Sequence, residues 1–156
     1  MTLNVLISCM NEIDTSIIER SNIQTDCVVV NQCNHNSIEE FDFINKKGSS
    51  CHCKFINTTE RGLSRSRNMA IRYAWGDICQ ICDDDEVMDD DGVEKILKVY
   101  KDNPDVDIAT FQILLDNSQL FKKYPKSTCK VGFKRILQTS SVEITFRLNK
   151  INTKHI

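Results

Sequence analysis

The part of the sequence best suited to chemistry is the acidic run Asp83-Asp84-Asp85-Glu86. It follows the apolar segment 78–82, which predicts an internal strand, so the carboxylates begin where burial ends. Carboxylates this close repel one another, and a hard divalent cation bound through oxygen relieves that repulsion. In an extended segment, residues i and i+2 point the same way, so Asp83 and Asp85 could share one ligand. The run therefore predicts a Mg²⁺ or Mn²⁺ site.

A solvated acidic loop that caps the next helix is the alternative for any such run, and we favour it for 89–91, the second acidic group. The position of Asp83–Asp85 favours a site instead, because ligands of open α/β sheets collect at the carboxyl ends of the strands. The D-D-D-E-V pattern also fits the Asp-x-Asp signature of aspartate-nucleophile phosphatases, in which Asp83 would be the nucleophile and Asp85 the acid.

Strand and helix patterns alternate around this run. Runs of apolar residues predict strands at 3–9, 27–31, 54–57, 77–82, 107–115 and 142–148. Helices are predicted within 13–21, over 62–74 and from about 92 to Asn103-Pro104, where proline ends the pattern. The alternation predicts an α/β fold, with a mostly parallel sheet and helices on both faces. We expect a single domain over residues 1–156.

Composition excludes several classes of protein. The chain has 156 residues and a formal net charge of -2, with no basic excess to attract nucleic acid. No apolar run is long enough for a transmembrane segment, and the first ten residues do not resemble a secretory leader. We therefore expect a cytosolic protein, with peripheral association with a membrane left open. The sequence does not indicate an oligomeric state.

The eight cysteines do not form a convincing metal motif. Cys79 and Cys82 lie within one predicted strand, whose alternation would direct them to opposite faces. Cys51 and Cys53 flank His52 and could bind a soft metal, but no second ligand pair stands at a zinc-site distance. We expect ordinary buried thiols in a reducing compartment.

Four segments in chain order resemble the family 2 inverting glycosyltransferases with the GT-A fold. LISCMNE ends in the turn Asn11-Glu12, and VVVNQCN has Asn31 where many relatives have Asp. RGLSRSRNMA resembles the family's G-L-S-x-x-R-N-x-A helix start, with Gly62 and Arg67 in place. GDICQICDDDE resembles the segment that ends in the family's Asp-x-Asp. Each segment is a weak signal by itself, but the ordered set is specific and spans residues 3 to about 146.

The resemblance implies a metal-dependent hexosyltransferase that uses a nucleoside diphosphate sugar, with UDP-sugar the expected donor. It implies that Asp85 ligates Mn²⁺ or Mg²⁺, and that Asp83 contacts the metal or the ribose. It further implies that Asn31 and Arg67 face the base. The remaining donor-site residues that it implies are Ser8, Asn11, Glu12, Gly62 and Asp84. The implied acceptor is a saccharide or a glycolipid, as in polysaccharide assembly at the inner face of a membrane.

The catalytic base is missing from the predicted site. An inverting transferase needs a carboxylate that takes a proton from the acceptor hydroxyl, and in the family this group follows the final strand. The sequence has no acidic residue after Glu143, which falls inside a predicted strand. We therefore expect the donor-binding part of a glycosyltransferase, truncated before its acceptor half. A donor-binding or interaction module without turnover is the alternative.

Overall fold

The computed structural model describes residues 1–115, 117–132, 138–140 and 144–151. Within these ranges, seven strands and three α-helices follow one another. In chain order they are β1 (Leu3–Met10), α1 (Ile17–Arg20), β2 (Cys27–Gln32), β3 (Ser37–Ile44), β4 (Ser50–Thr58), α2 (Leu63–Tyr73), β5 (Ile78–Asp83), α3 (Gly92–Asp102), β6 (Ile108–Thr110) and β7 (Ile144–Arg147). A 3₁₀ turn, Leu148–Lys150, follows the last strand.

The strands form one sheet in the order β3-β4-β2-β1-β5-β7-β6. The four central strands, β4, β2, β1 and β5, are parallel, and β3, β7 and β6 are antiparallel to their neighbours. β1 and β2 are buried along almost their whole length, as expected for central parallel strands covered on both faces. The predicted α/β fold with a mostly parallel sheet is confirmed.

Helices cover both faces of this sheet. Neighbouring side chains of β1 point to opposite faces and therefore pack against different helices. Val5 and Ile7 pack with Ile17 of α1 in one apolar cluster. Leu6 packs with Ala70 of α2 in a second cluster on the other face. Helix α3 covers the first face near the start of β1, through a cluster that contains Leu3, Ile96 and Tyr100.

The cysteines behave as the strand pattern predicts. Cys82 packs in the cluster on the α1 face, whereas Cys79 packs in the cluster on the α2 face. Burial raises the pKa of the Cys79 thiol to about 12. All eight cysteines are free, and of these Cys129 is exposed.

Three strands, β3, β4 and β6, differ from the prediction by more than one residue. β3 was not predicted, because its edge position leaves one side exposed and its pattern mixes acidic with apolar residues. β4 is longer than the predicted 54–57, since it pairs with β3 over the whole range from Ser50 to Asn57. Of the predicted strand 107–115, only Ile108–Thr110 (β6) pairs as a strand of the sheet, and the residues after it form a short hairpin. Residues 142 and 143 of the last predicted strand lie outside the described ranges.

The turn between α2 and β5 sets where the acidic run begins. The side-chain oxygen of Asn4 accepts hydrogen bonds from the backbone N–H groups of Trp75 and Gly76, at 2.8 and 2.7 Å. A Cβ at Gly76 would lie 2.9 Å from the Asn4 backbone nitrogen, so a side chain there would push the turn away. This contact fixes β5 against β1 and places Ser8 beside Asp83 in register.

Candidate functional site

A cleft of about 290 Å³ opens at the carboxyl ends of the parallel strands. It is lined by the end of β1, the end of β2, the start of α2 and the turn after β5. The lining residues are Ser8, Cys9, Met10, Gln32, Gly62, Leu63, Asp83, Asp84 and Asp85. The structure therefore brings the acidic run together with Ser8 and Gly62, at the end of the sheet where ligands of this fold class collect.

A slightly larger cavity, of about 320 Å³, lies at the opposite end of the sheet. Its lining includes Thr2, Asp26, Lys47 and Glu94, and Lys47 forms a 2.6 Å ion pair with Glu94. We assign the site to the smaller cleft, since that cleft contains the acidic run and lies at the carboxyl ends of the strands.

The backbone turns sharply within the acidic run. β5 ends at Asp83, and residues 84 and 85 form a turn in which Glu86 donates its N–H to the carbonyl of Asp83 at 3.3 Å. The expectation that Asp83 and Asp85 lie on one side of an extended segment is therefore wrong. The turn still leaves all three aspartates on the cleft wall, with Asp84 and Asp85 exposed.

Glu86, the last acid of the run, points back onto the strand. Its carboxylate accepts the backbone N–H of Asp83 at 2.9 Å. Burial raises the pKa of Glu86, and the nearby carboxylates of Asp83 and Asp85 add to that rise. Hydrogen bonds from the Asp83 N–H and the Cys82 thiol oppose the rise in pKa. Glu86 thus shapes the turn and does not line the cleft.

Arg67 contacts the first acid of the run directly. Its Nη2 donates to Oδ1 of Asp83 at 2.7 Å, and the two side chains are 16% and 32% exposed. The Nε of Arg67 is buried and has no hydrogen-bond partner among the described residues. Arg67 is therefore held against Asp83, and a contact between Arg67 and a base stays a prediction.

Gly62 forms the junction between the cleft and α2. It has φ of 123°, a conformation that residues with a side chain rarely adopt, and its N–H donates to Oε1 of Gln32 at 2.6 Å. The helix then begins with a bond from the Ser66 N–H to the Gly62 carbonyl at 3.0 Å. The N-cap residue, Gly62, has no side chain to cap the first N–H groups of the helix, and Gly62 and Leu63 line the cleft.

Asn31 is buried, and both its amide nitrogen and its amide oxygen form hydrogen bonds within the protein. Its amide nitrogen donates to the Glu12 carbonyl at 2.9 Å and to Oδ1 of Asn57 at 2.8 Å, while its oxygen accepts the Glu12 N–H at 3.0 Å. The Cys9 thiol lies 3.9 Å from the same oxygen. Both donor positions of the amide nitrogen are occupied and the side chain does not line the cleft, and a contact between Asn31 and a base stays a prediction.

What Asn31 holds is the turn Asn11-Glu12. Asn11 has φ of 57° and donates its N–H to the carbonyl of Gln32 at 3.1 Å. The Glu12 carboxylate binds Arg20 through two hydrogen bonds of 2.5 and 3.0 Å. Asn11 and Glu12 thus border the cleft without being among its lining residues.

Gln32 is a site residue that sequence reasoning missed. Its backbone carbonyl accepts from Asn11 and from the Arg61 guanidinium, and its side chain accepts from Gly62. One glutamine thereby joins the ends of β1 and β2 to the start of α2. Its position in the sequence could have indicated this role. Gln32 ends a buried strand next to Asn31, where an uncharged polar side chain must find hydrogen-bond partners.

Ser8 carries the unpaired hydroxyl of the site. It is 5% exposed, lines the cleft and has an Oγ with no hydrogen-bond partner among the described residues. A buried hydroxyl without a partner is costly, and a ligand in the cleft would supply the missing bond. This observation supports a polar ligand that reaches the floor of the cleft.

The acidic residues fit a cation that is completed by a ligand. Within the described ranges, no three His, Cys, Asp or Glu residues are grouped closely enough to hold a metal by themselves. Mg²⁺ is commonly bound by one or two carboxylates together with substrate phosphates and water. Asp84 and Asp85 are exposed, and neither forms a hydrogen bond or ion pair with the described residues. The donor set thus suits a metal that arrives with phosphate oxygens.

No helix in the described part of the chain has both the length and the apolar character needed to cross a lipid bilayer.

Comparison with known proteins agrees with this architecture. The model of the family described as Glycosyl transferase family 2 matches residues 5–151. The crystal structure of S. aureus TarS 1-349 superposes with a TM-score of 0.68 at 15% sequence identity, covering 100% of this chain and 50% of that chain. At this identity the likeness shows the fold, and the chain spans half the length of that structure. No curated protein matches the sequence.

Proposed function

This chain belongs to glycosyl transferase family 2, and on that basis we propose that it binds a nucleoside diphosphate sugar, with UDP-sugar as the expected donor. The reaction is transfer of a hexose to a saccharide or lipid-linked acceptor. The observation that carries the proposal is the cleft in which Asp83–Asp85 and the start of α2 line the same space.

One part of the cleft lining suits the negative phosphates of a metal diphosphate, and another part suits its positive cation. The uncapped N-terminus of α2 presents N–H groups and a positive partial charge, which favour phosphate oxygens. Across the cleft, the exposed carboxylates of Asp84 and Asp85 favour a divalent cation. Ser8 would donate its unpaired hydroxyl to the donor at the floor of the cleft.

Asp83 and Asp85 would hold Mn²⁺ or Mg²⁺ in this proposal. Such a cation acts as a Lewis acid for the charge that develops on a departing diphosphate. Arg67 forms an ion pair with Asp83, with 2.7 Å between Nη2 and Oδ1, and so fixes its orientation. Asn31 and Gln32 act through the backbone, since they hold the turn at Asn11 and Glu12 and the start of α2.

No catalytic base is assigned. Glu143 lies outside the described residues, and the acids that line the cleft are already placed in donor binding. A donor-binding module without turnover therefore remains the second candidate function. The family match gives no support to the interpretation as an aspartate-nucleophile phosphatase.

A thermal unfolding experiment tests the donor site. We expect UDP to raise the melting temperature in the presence of Mn²⁺ or Mg²⁺ and to have no effect with EDTA, because a ligand that binds only the folded state stabilises it. At a hundredfold excess over Kd the stabilisation is about 2.7 kcal/mol. Asp85→Ala should abolish the shift.

The matched control is Asp105→Ala, which removes an exposed acid outside the cleft. It should leave the metal-dependent shift unchanged. A parent chain that shows no metal-dependent shift with UDP, or with other nucleoside diphosphates, would overturn the donor site.

A second experiment separates transfer from binding. UDP release from UDP-hexoses is measured with saccharide and glycolipid acceptors, beside the binding assay. Acceptor-dependent release supports the transferase, whereas binding without release under all conditions supports the module without turnover.

A further inference from the structure

Residues 113–115 and 117–121 form a short hairpin after β6. Leu114 and Leu120 form an isolated antiparallel bridge, and Leu115 donates its N–H to the Gln119 carbonyl at 2.8 Å. The hairpin exposes large apolar side chains, which are Leu114 (54% exposed), Leu115 (45%), Leu120 (45%) and Phe121 (53%). We call these four exposed side chains the apolar tip; their exposure has a cost in water and indicates a partner.

Basic residues follow the apolar tip directly. From Asn117 to Val142 the sequence contains six basic residues and no acidic one, namely Lys122, Lys123, Lys126, Lys130, Lys134 and Arg135. The chain as a whole has a net charge of -2, so the positive charge is concentrated in this segment. Lys123, Lys126 and Lys130 are exposed in the structure.

The apolar tip and the lysine segment are held together. Tyr124 accepts the Ile113 N–H at its hydroxyl oxygen, at 3.1 Å, and so ties the lysine segment to the base of the hairpin. Lys122 lies over the Tyr124 ring, 5.7 Å from its centre, and donates to the carbonyl of Gln138 at 2.6 Å. These contacts hold the start of the lysine segment against the base of the hairpin.

We propose that the two sides of the hairpin, at 113–115 and 117–121, and the lysines at 123, 126 and 130 form a binding surface for an anionic lipid bilayer. The leucines and Phe121 would enter the boundary between headgroups and acyl chains, while the lysines contact the anionic headgroups. A second copy of this chain is a poor occupant, because the patch is positive and would repel itself. Nucleic acid would attract the lysines but would leave the leucines in water.

This surface stands apart from the donor cleft, which contains none of its residues. Vesicle binding and nucleotide binding can therefore fail independently. If the acceptor is lipid-linked, the surface would bring the chain to the membrane in which that acceptor lies.

Vesicle co-sedimentation of the full chain tests the proposal. We expect binding to phosphatidylcholine vesicles that contain phosphatidylglycerol, weaker binding at high salt, and little binding to pure phosphatidylcholine. The triple variant K123E/K126E/K130E should bind at least on the order of 100-fold more weakly, since each lysine near an anionic surface contributes about fivefold.

The matched control is K46E/K98E/K101E, which changes the net charge equally at exposed lysines outside the patch. It should bind clearly more tightly than the patch variant. The double variant L120S/F121S should lose binding while keeping its lysines, whereas Ile44→Ser, at an exposed site on β3, should not.

Three results would overturn the proposal. One is equal binding to neutral and anionic vesicles, and another is an equal loss in the two triple variants. The third is that the chain does not bind vesicles but self-associates, or binds single-stranded nucleic acid, and the patch variants abolish that interaction. Circular dichroism spectra of all variants ensure that a loss of binding is not a loss of folding.

Discussion

Arg67 of α2 donates a hydrogen bond to Asp83 at the end of β5, with 2.7 Å between Nη2 and Oδ1. This bond crosses from a helix to the strand end that begins the acidic run. It compensates one of four consecutive carboxylates, and Asp83, Asp84 and Asp85 all line the cleft. The pair thus sets the orientation of the first acid that lines the cleft.

Arg67→Ala should lower the free energy of unfolding by about 1–3 kcal/mol, because it leaves a half-buried carboxylate without its partner. Urea denaturation measures the loss. Arg65→Ala, at an exposed position of the same helix, should change stability by less than about 0.5 kcal/mol.

The double variant R67A/D83N shows whether the loss belongs to the pair. It should be more stable than Arg67→Ala alone, since the unpaired charge is gone. Equal stability of the two variants would mean that Arg67 contributes by packing.

Asn31→Asp should destabilise the protein by about 1–3 kcal/mol, because an aspartate cannot donate to the Glu12 carbonyl or to Asn57. Asn36→Asp is the matched control, since Asn36 bonds to the described residues through its oxygen alone, as an acceptor for the Thr59 N–H and hydroxyl. Urea denaturation at neutral pH compares the two. Equal losses would contradict the assignment of Asn31 to the turn.

Ser8→Ala should weaken binding of UDP with Mn²⁺ by about 2- to 10-fold, because one hydrogen bond to the ligand is lost. It should change the unfolding free energy little, since its Oγ has no partner in the described protein. Isothermal titration calorimetry measures the affinity. Ser21→Ala removes another buried, unpaired hydroxyl, outside the cleft, and should leave the affinity unchanged.

His52 should titrate above its ordinary range. The Asp42 carboxylate, 2.7 Å from Nδ1, raises the pKa of His52, and Glu40 adds to the rise against a smaller opposing effect of burial. Because the folded pKa is raised, the stabilisation is complete below the unfolded pKa of about 6.5 and is lost as pH rises through the folded pKa.

An NMR titration of His52 measures this pKa directly. Asp42→Asn should lower the pKa, whereas Glu39→Gln, on the alternate side of β3, should leave it nearly unchanged. An unchanged titration in Asp42→Asn would show that the ion pair does not form in solution.

The sequence alone was sufficient for the central architecture. β1, β2 and β5 are buried on both faces, so their apolar runs are visible without any partner. Position along the chain likewise predicted that Asp83 follows a buried strand, and alternation predicted that Cys79 and Cys82 face opposite sides. These features depend on neighbours in sequence, which is why local patterns specify them.

Tertiary structure decided how the site residues are used. Gln32, Asn31 and Gly62 acquire their roles from hydrogen bonds between residues 19 to 30 positions apart, which no local pattern records. The turn after Asp83 depends on Glu86 reaching back to a backbone N–H, and so overrides the extended geometry that spacing suggested. Edge strand β3 is specified by pairing with β4, because its own residues bury too little apolar surface to predict it.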